Sequence, residues 1–161
     1  MQADLEWDSL TPEDLAARFQ ALNGELTNEL EAAGEDIGEK GAEEYRRRVS
    51  KDLGNLEESI DHRVEVSGST LTVWFGTDDT PKAAALEFGT NPFTPPISPL
   101  RDWAARQLGS AEAAWGVQEK ISREGLEERE WLKDAFEETA PFAQQRLEEV
   151  PGNARARVDL A

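Results

Sequence analysis

Ile60-Asp-His-Arg-Val-Glu-Val-Ser-Gly-Ser-Thr-Leu-Thr-Val-Trp-Phe75 is the stretch that decides the fold class. Ile60, His62, Val64 and Val66 alternate with Asp61, Arg63 and Glu65, and Leu71, Val73 and Phe75 alternate with Thr72 and Trp74. Successive strand side chains point to opposite faces, so this period of two marks two half-buried strands. Ser67-Gly68-Ser69 between them is turn chemistry, and an antiparallel hairpin over 59–76 follows. His62, the only histidine, falls on the apolar face. No nucleophile or metal-ligand pattern accompanies it, so it reads as a satisfied buried or edge residue.

Everything around the hairpin has helical spacing. Upstream, Thr11-Pro12-Glu13-Asp14 is a capping sequence, with Leu10 and Leu15 at staple spacing. Leu15, Phe19, Leu22, Leu26, Leu30, Ala33, Ile37, Tyr45, Val49 and Leu53 then form one stripe, predicting a single long helix over 11–53 with a kink at Asn23-Gly24. Gly34, Gly38 and Gly41 weaken that helix; close packing of this face explains them more directly than a hinge does. Arg46-Arg47-Arg48 is the only basic cluster. On a helix the three diverge, so they read as counter-charges near a helix C-terminus. Gly54-Asn55 ends the helix.

Downstream, Thr80-Pro81 opens a short thin helix through Ala83, Ala84 and Ala85, and Gly89 stops it. Pro92, Pro95 and Pro96 then stiffen an extended arm carrying Phe93, so 80–97 is a short helix plus a proline arm. A helical insertion over 98–125 follows. Its first helix begins at Ser98-Pro99 and carries Leu100, Trp103, Ala104 and Leu108 up to Gly109. Ser110 caps its second, which places Ala114, Trp115, Gln118 and Ile121 on one face and ends at Gly125. The segment 127–132 is strand or loop. A last helix over 132–150 aligns Leu132, Phe136, Ala143, Leu147 and Val150, with a kink at Pro141 and a stop at Pro151-Gly152; 151–161 reads as a loose tail. The fold class is α+β: one domain over 1–161, a long N-terminal helix packed on a small antiparallel sheet, with additional C-terminal helices.

The chain has 161 residues, 34 Asp+Glu against 17 Lys+Arg, and no cysteine. The net charge of −17 argues against a duplex-DNA-binding face, which wants cations. It fits either ordinary solvated helix faces or adaptation to molar salt, where screening removes the repulsion. No apolar run is long enough for a membrane span, and Met1–Trp7 lacks a signal-peptide pattern, so production in the cytoplasm is expected. No phosphate loop, dinucleotide fingerprint or zinc-protease motif is present. Acid pairs such as Asp78-Asp79 and Glu127-Glu128 are unavoidable at this composition. No enzyme activity, metal or cofactor is expected.

Gly54-Asn-Leu56-Glu-Glu-Ser59-Ile60 has the form G-x-L-x-x-S-I, and Ala83-Ala-Ala-Leu-Glu87-Phe88-Gly89-Thr90 has the form A-x-x-x-E-F-G-T. Trp103, then Ala114-Trp115-Gly-Val117-Gln-Glu-Lys-Ile121-Ser-Arg-Glu-Gly125, then Glu130-Trp131-Leu132 follow in order. In this order and spacing, from Leu15 to Val150, the chain resembles the tail-completion, or head–tail joining (neck), proteins of long-tailed phages and archaeal tailed viruses. It departs from the pattern where alanines replace an aromatic residue before Glu87, and where Glu130-Trp131-Leu132-Lys-Asp-Ala135 lacks the usual prolines.

The resemblance implies a structural virion protein in the neck of the particle. Copies form a ring, usually six, joining the tail tube protein to the head-completion or connector proteins, with DNA passing through the lumen. A lumen lined with carboxylates would repel phosphate and let DNA slide. Together with the charge, a halophilic archaeal host is expected. Glu87, Phe88, Gly89, Thr90 and Phe93 are then candidate inter-subunit contacts, with Glu87 and Thr90 polar and Phe88 and Phe93 anchoring. The other reading of Phe88 is a plug in this subunit's own core. An acidic DNA mimic or inhibitor, binding a basic partner as a monomer or dimer, is the alternative function. A small acid-dependent hydrolase is a third class, without a constellation to support it.

Overall fold

A computed structural model of the chain describes residues 11–49 and 54–159. Six helices and one hairpin appear among them: α1 (Pro12–Arg48), α2 (Gly54–Glu58), β1 (Ile60–Ser67), β2 (Thr70–Thr77), α3 (Thr80–Glu87), α4 (Ile97–Gln107), α5 (Ala113–Glu124) and α6 (Trp131–Asp159). The class is α+β, as the alternation over Ile60–Phe75 requires. The two strands form one antiparallel sheet. α1 opens with the reciprocal cap its sequence predicts. The Asp14 N–H donates to Thr11 Oγ1 at 3.1 Å, and the Thr11 N–H donates to Asp14 Oδ2 at 3.1 Å. Leu10 and Leu53 lie outside the described residues.

The described chain divides into two compact units. The first comprises the chain up to Gly38, Arg63–Trp74, and the chain from Ala140 on; the second comprises Glu39–His62 and Phe75–Thr139.

In the first unit Ala33, Ile37, Val150 and Ala154 are buried. Gly34 explains its own presence: a Cβ there would stand 2.5 Å from Val64 Cγ1, so the missing side chain is what lets α1 approach the strands. Glu29 is 1% exposed. Its carboxylate accepts Asn153 Nδ2 at 3.3 Å, and Arg157 Nη2 stands 2.5 Å away, close enough for an ion pair but not aligned as a hydrogen bond. Arg146, on the same helix, donates to Asp36 at 2.7 Å and reaches Glu29 at 3.8 Å. Two arginines and an amide from α6 thus clamp the acidic face of α1.

These contacts overturn the expected stop at Pro151-Gly152. α6 runs through both Pro141 and Pro151 to Asp159, so 151–159 is helix and no loose tail. A proline removes one helical hydrogen bond. Here Val150, Asn153, Ala154 and Arg157 supply the tertiary contacts that hold the following turns.

In the second unit Ala42, Tyr45, Val49, Leu56, Ile60 and Ala135 form a buried cluster, with Phe75, Ala83, Leu86, Trp131 and Leu132 packed against it. Gly41 repeats the device of Gly34, since a Cβ there would collide with the Phe75 ring. Leu56 is fully buried within α2, a turn of helix where a direct entry into β1 was expected. α4 packs against α5.

Several side chains differ from the expected faces. Phe136, which stacks on Phe75, and Leu147 are largely exposed, while the small residues Ala135, Thr139 and Ala154 are buried beside the expected Leu132 and Val150. Trp115 is exposed although Ala114 and Ile121 beside it are buried. Leu15 and Phe19 extend the α1 stripe in sequence but face solvent, Phe19 at 63%. Ser110 caps no backbone and donates to the Glu112 carboxylate at 2.9 Å. The cap position of α3 is Asp79, not Thr80, and its carboxylate pairs with Lys82 at 2.8 Å.

Candidate functional site

The segment Leu86–Thr90 and the segment Gly125–Lys133, both in the second unit, are joined backbone to backbone. Thr90 N donates to Leu126 O at 3.0 Å, Leu126 N donates to Thr90 Oγ1 at 3.0 Å, and Arg129 N donates to Leu86 O at 2.9 Å. Such an approach leaves no space for a Cβ at two places. At Gly89 (φ 69°) an added Cβ would lie 2.5 Å from Leu126 O; at Gly125 (φ 80°) it would collide with Thr90 O. Both residues also hold left-handed backbone, which glycine alone adopts without strain. The segment 127–130, open between strand and loop in the sequence, is therefore a loop held on its neighbour. Glu130 (φ 48°) turns it into α6.

Glu87 does for α6 what a capping residue does, from a distance in sequence. Its Oε2 accepts the Leu132 N–H and its Oε1 the Lys133 N–H, each at 3.0 Å. A carboxylate on the orphan N–H groups of a first turn satisfies donors and opposes the positive end of the helix dipole. The same carboxylate lies near the buried Tyr45, whose phenol is held above its ordinary pKa by burial first and by this charge second.

The five candidate contact residues thus separate into two groups. Glu87, Gly89 and Thr90 are engaged within the chain. Phe88, between them, is 78% exposed, the largest exposure among the large apolar residues of the described chain. It does not plug this subunit's core. Phe93 is also exposed, on an arm that the chain fixes from beneath. Pro95 is buried and its carbonyl accepts Gln118 Nε2 at 2.7 Å, while Ser122 Oγ bonds Thr94 Oγ1 at 3.3 Å. The arm is attached to α5 rather than projecting free.

The basic cluster has its own account. Arg46 donates to the Ile60 carbonyl at 2.6 Å. Arg47 and Arg48 pair with the buried Glu44 at 2.5 and 2.8 Å and with Glu138. Lys40 joins Glu44 at 2.8 Å. Hydrogen bonds from Lys40, Arg48 and Arg47 lower the Glu44 pKa from 4.5 to about 2, in that order of weight apart from an opposing desolvation. Counter-charge at a helix end is what the sequence predicts for these arginines, and that is their place.

Among the described residues no cluster of three or more His, Cys, Asp or Glu could hold a metal ion, and no helix is long and apolar enough to cross a membrane. His62 is half-buried on β1, and its N–H donates to Asp61 Oδ1 at 2.8 Å. Comparison of the chain with family models, with curated proteins and with solved structures gives no match.

Proposed function

We propose that this chain is a structural virion protein of the tail-completion, or neck, class, whose copies assemble into a ring between the tail tube and the head connector. The observation that supports this reading most is Phe88. An exposed phenylalanine on a mobile loop would be unremarked surface. Here the residues on both sides of it are hydrogen-bonded or sterically fixed, so an apolar side chain is presented to solvent on a rigid base. A fixed apolar side chain of that size suits an anchor in a partner's pocket. The placement of Glu87 and Thr90 refines the reading: they build the platform, and Phe88, with Phe93, makes the contact.

Phe88→Ser tests the reading. The substitution removes the anchor and leaves the platform, so the variant folds as the parent does. In sedimentation of the purified chain, alone and mixed with tail tubes, the parent is expected as rings or tube-bound copies and the variant as monomer. Electron microscopy of particles then gives copy number. A parent that stays monomeric, ignores tail tubes and instead binds a DNA-binding protein one to one would overturn the proposal in favour of the acidic mimic.

A further inference from the structure

A groove of about 350 Å³ lies wholly within the first unit, lined by Asn28, Glu31, Ala32 and Glu35 of α1 and by Val64 and Val66 of β1. The four α1 positions fall at i, i+3, i+4 and i+7 and so share one helix face. The β1 side of the groove is a strand edge. The turn of the hairpin is the two residues Gly68-Ser69, which makes Ser67 and Thr70 a hydrogen-bonded pair. Hydrogen-bonded pairs alternate along an antiparallel ladder, so Glu65, Arg63 and Asp61 bond to β2. Ile60, His62, Val64 and Val66 then turn their N–H and C=O groups away from it.

Two side-chain contacts agree with that register. The Ile60 carbonyl accepts Arg46, and the His62 N–H donates to Asp61, so neither group is committed to the ladder. Farther along the strand, no backbone bond from outside the hairpin reaches Val64 or Val66 among the described residues. Among the described residues the groove therefore has an acidic helix face on one side and an open strand edge on the other.

We propose that this groove receives an extended segment of another protein, with lysine or arginine at alternate positions, which adds to β1 as a third strand along Val64–Val66. Main-chain hydrogen bonds to an open edge supply affinity, and the alternate side chains supply specificity. Here every second side chain of the added strand turns toward α1. It meets the carboxylate of Glu31 and the amide of Asn28, with Ala32 leaving room for it and Glu35, which already has a partner of its own, adding to the negative field. Glu31 makes no ion pair or hydrogen bond with any described residue. Volume sets the length: the groove is at the lower end of ligand-sized clefts (~300–1,000 Å³), enough for two or three residues. Charge excludes the other occupants. Carboxylates repel nucleic-acid phosphate. The described chain offers no extended basic stretch of its own, since Arg46–Arg48 is helical and the arm over 91–96 has three prolines without N–H donors. The inference does not rest on the ring reading, and failure of either leaves the other standing.

The test uses the full chain labelled with ¹⁵N, in 1 M KCl and at the lowest salt that preserves its helical signal. The probe is the peptide acetyl-Lys-Val-Lys-Val-Lys-Val-amide. Saturable shifts and slowed hydrogen exchange are expected at the Val64 and Val66 amides. Two further peptides, N-methylated on all lysine or on all valine nitrogens, are expected to differ at least about tenfold in Kd, because only one set of N–H groups faces β1. Glu31→Lys is expected to weaken the parent peptide about fivefold or more, the scale of a partly buried charge contact. The proposal is overturned by any of three results: equal binding of the two methylated peptides, equal binding of a Glu-for-Lys peptide, or Val64 and Val66 amides already protected by self-association without peptide.

Discussion

Glu87 and Phe88 are adjacent in the chain and opposite in role. Glu87 accepts two N–H groups of α6, so Glu87→Ala leaves both donors without their carboxylate. Hydrogen bonds to a charged group contribute ~1.5–3 kcal/mol, and the loss is expected near ~2 kcal/mol in a urea melt. Phe88→Ser removes no packed contact and is expected within ~0.5 kcal/mol of the parent in the same melt. Gly89→Ala belongs with the first. Left-handed backbone costs ~1–2 kcal/mol for an L side chain, and the Cβ would stand 2.5 Å from the Leu126 carbonyl, which is backbone and cannot swing aside. A loss of at least ~2 kcal/mol is expected. The three together decide whether this turn is a platform: equal losses at Glu87 and Phe88 would mean that Phe88 packs on its own chain. Sequence reasoning found these residues but not the partners that Glu87 and Thr90 have within the chain. A carboxylate capping a helix 45 residues away leaves no local pattern, because Glu87 and Leu132 are neighbours only once the loop at 125–130 is folded.

Elements were legible where their period came from large side chains, and misread where it came from small ones. The hairpin and the core half of α1 carry Ile, Val, Tyr and Phe at the right spacing and are found where expected. α6 packs Leu132 and Val150 as their spacing predicts, but fills the space between them with Ala135 and Thr139 and leaves Phe136 and Leu147 largely exposed. Its length was misread for a related reason. Pro151-Gly152 is a strong local stop, and the contacts that override it come from α1. The override can be removed. Glu29→Ala takes away the carboxylate that Asn153 and Arg157 meet, and leaves Arg146 with less counter-charge. Breaking a buried pair costs ~3–5 kcal/mol; because Arg157 is largely exposed, the lower end is expected. The loss has a location: amides after Pro151 are expected to exchange with solvent faster, while those of α4 and α5 keep their protection. Uniform loss of protection would mean that the Glu29 cluster holds the fold as a whole rather than the end of one helix.

The charge of the whole chain sets two windows of stability that act in opposite senses. Most of the acids among the described residues are exposed to solvent and repel one another. At 0.1 M salt the screening length is ~10 Å, longer than the spacing of neighbouring surface charges; at 1 M it is ~3 Å. The chain is therefore expected to lose far-UV helical signal as KCl falls below about 1 M, and to regain part of it in dilute buffer as pH is lowered toward 5 and the exposed carboxylates begin to take up protons. Glu44 responds at a different pH. Its pKa is lower in the folded chain, about 2, than the ordinary 4.5, so its contribution is complete above about pH 4.5 and is lost as pH falls toward 2. That shift is equivalent to about 3 kcal/mol, reduced to about 2 by water around the exposed Arg47. Stability in dilute buffer should consequently rise from pH 7 to about 5 and fall again below about 4. In molar KCl only the fall should remain, since the repulsion is already screened whereas the contacts of Lys40, Arg47 and Arg48 with Glu44 are too close for salt to enter. Glu44→Gln separates the two: it should shrink the acid-side fall, leaving the part that Asp14 and Glu112, also held below the usual carboxylate range by Thr11 and Ser110, contribute, and leave the salt dependence unchanged. A chain that folds fully in dilute buffer at pH 7 would remove the case for a halophilic origin, and the acidity would then be no more than solvation.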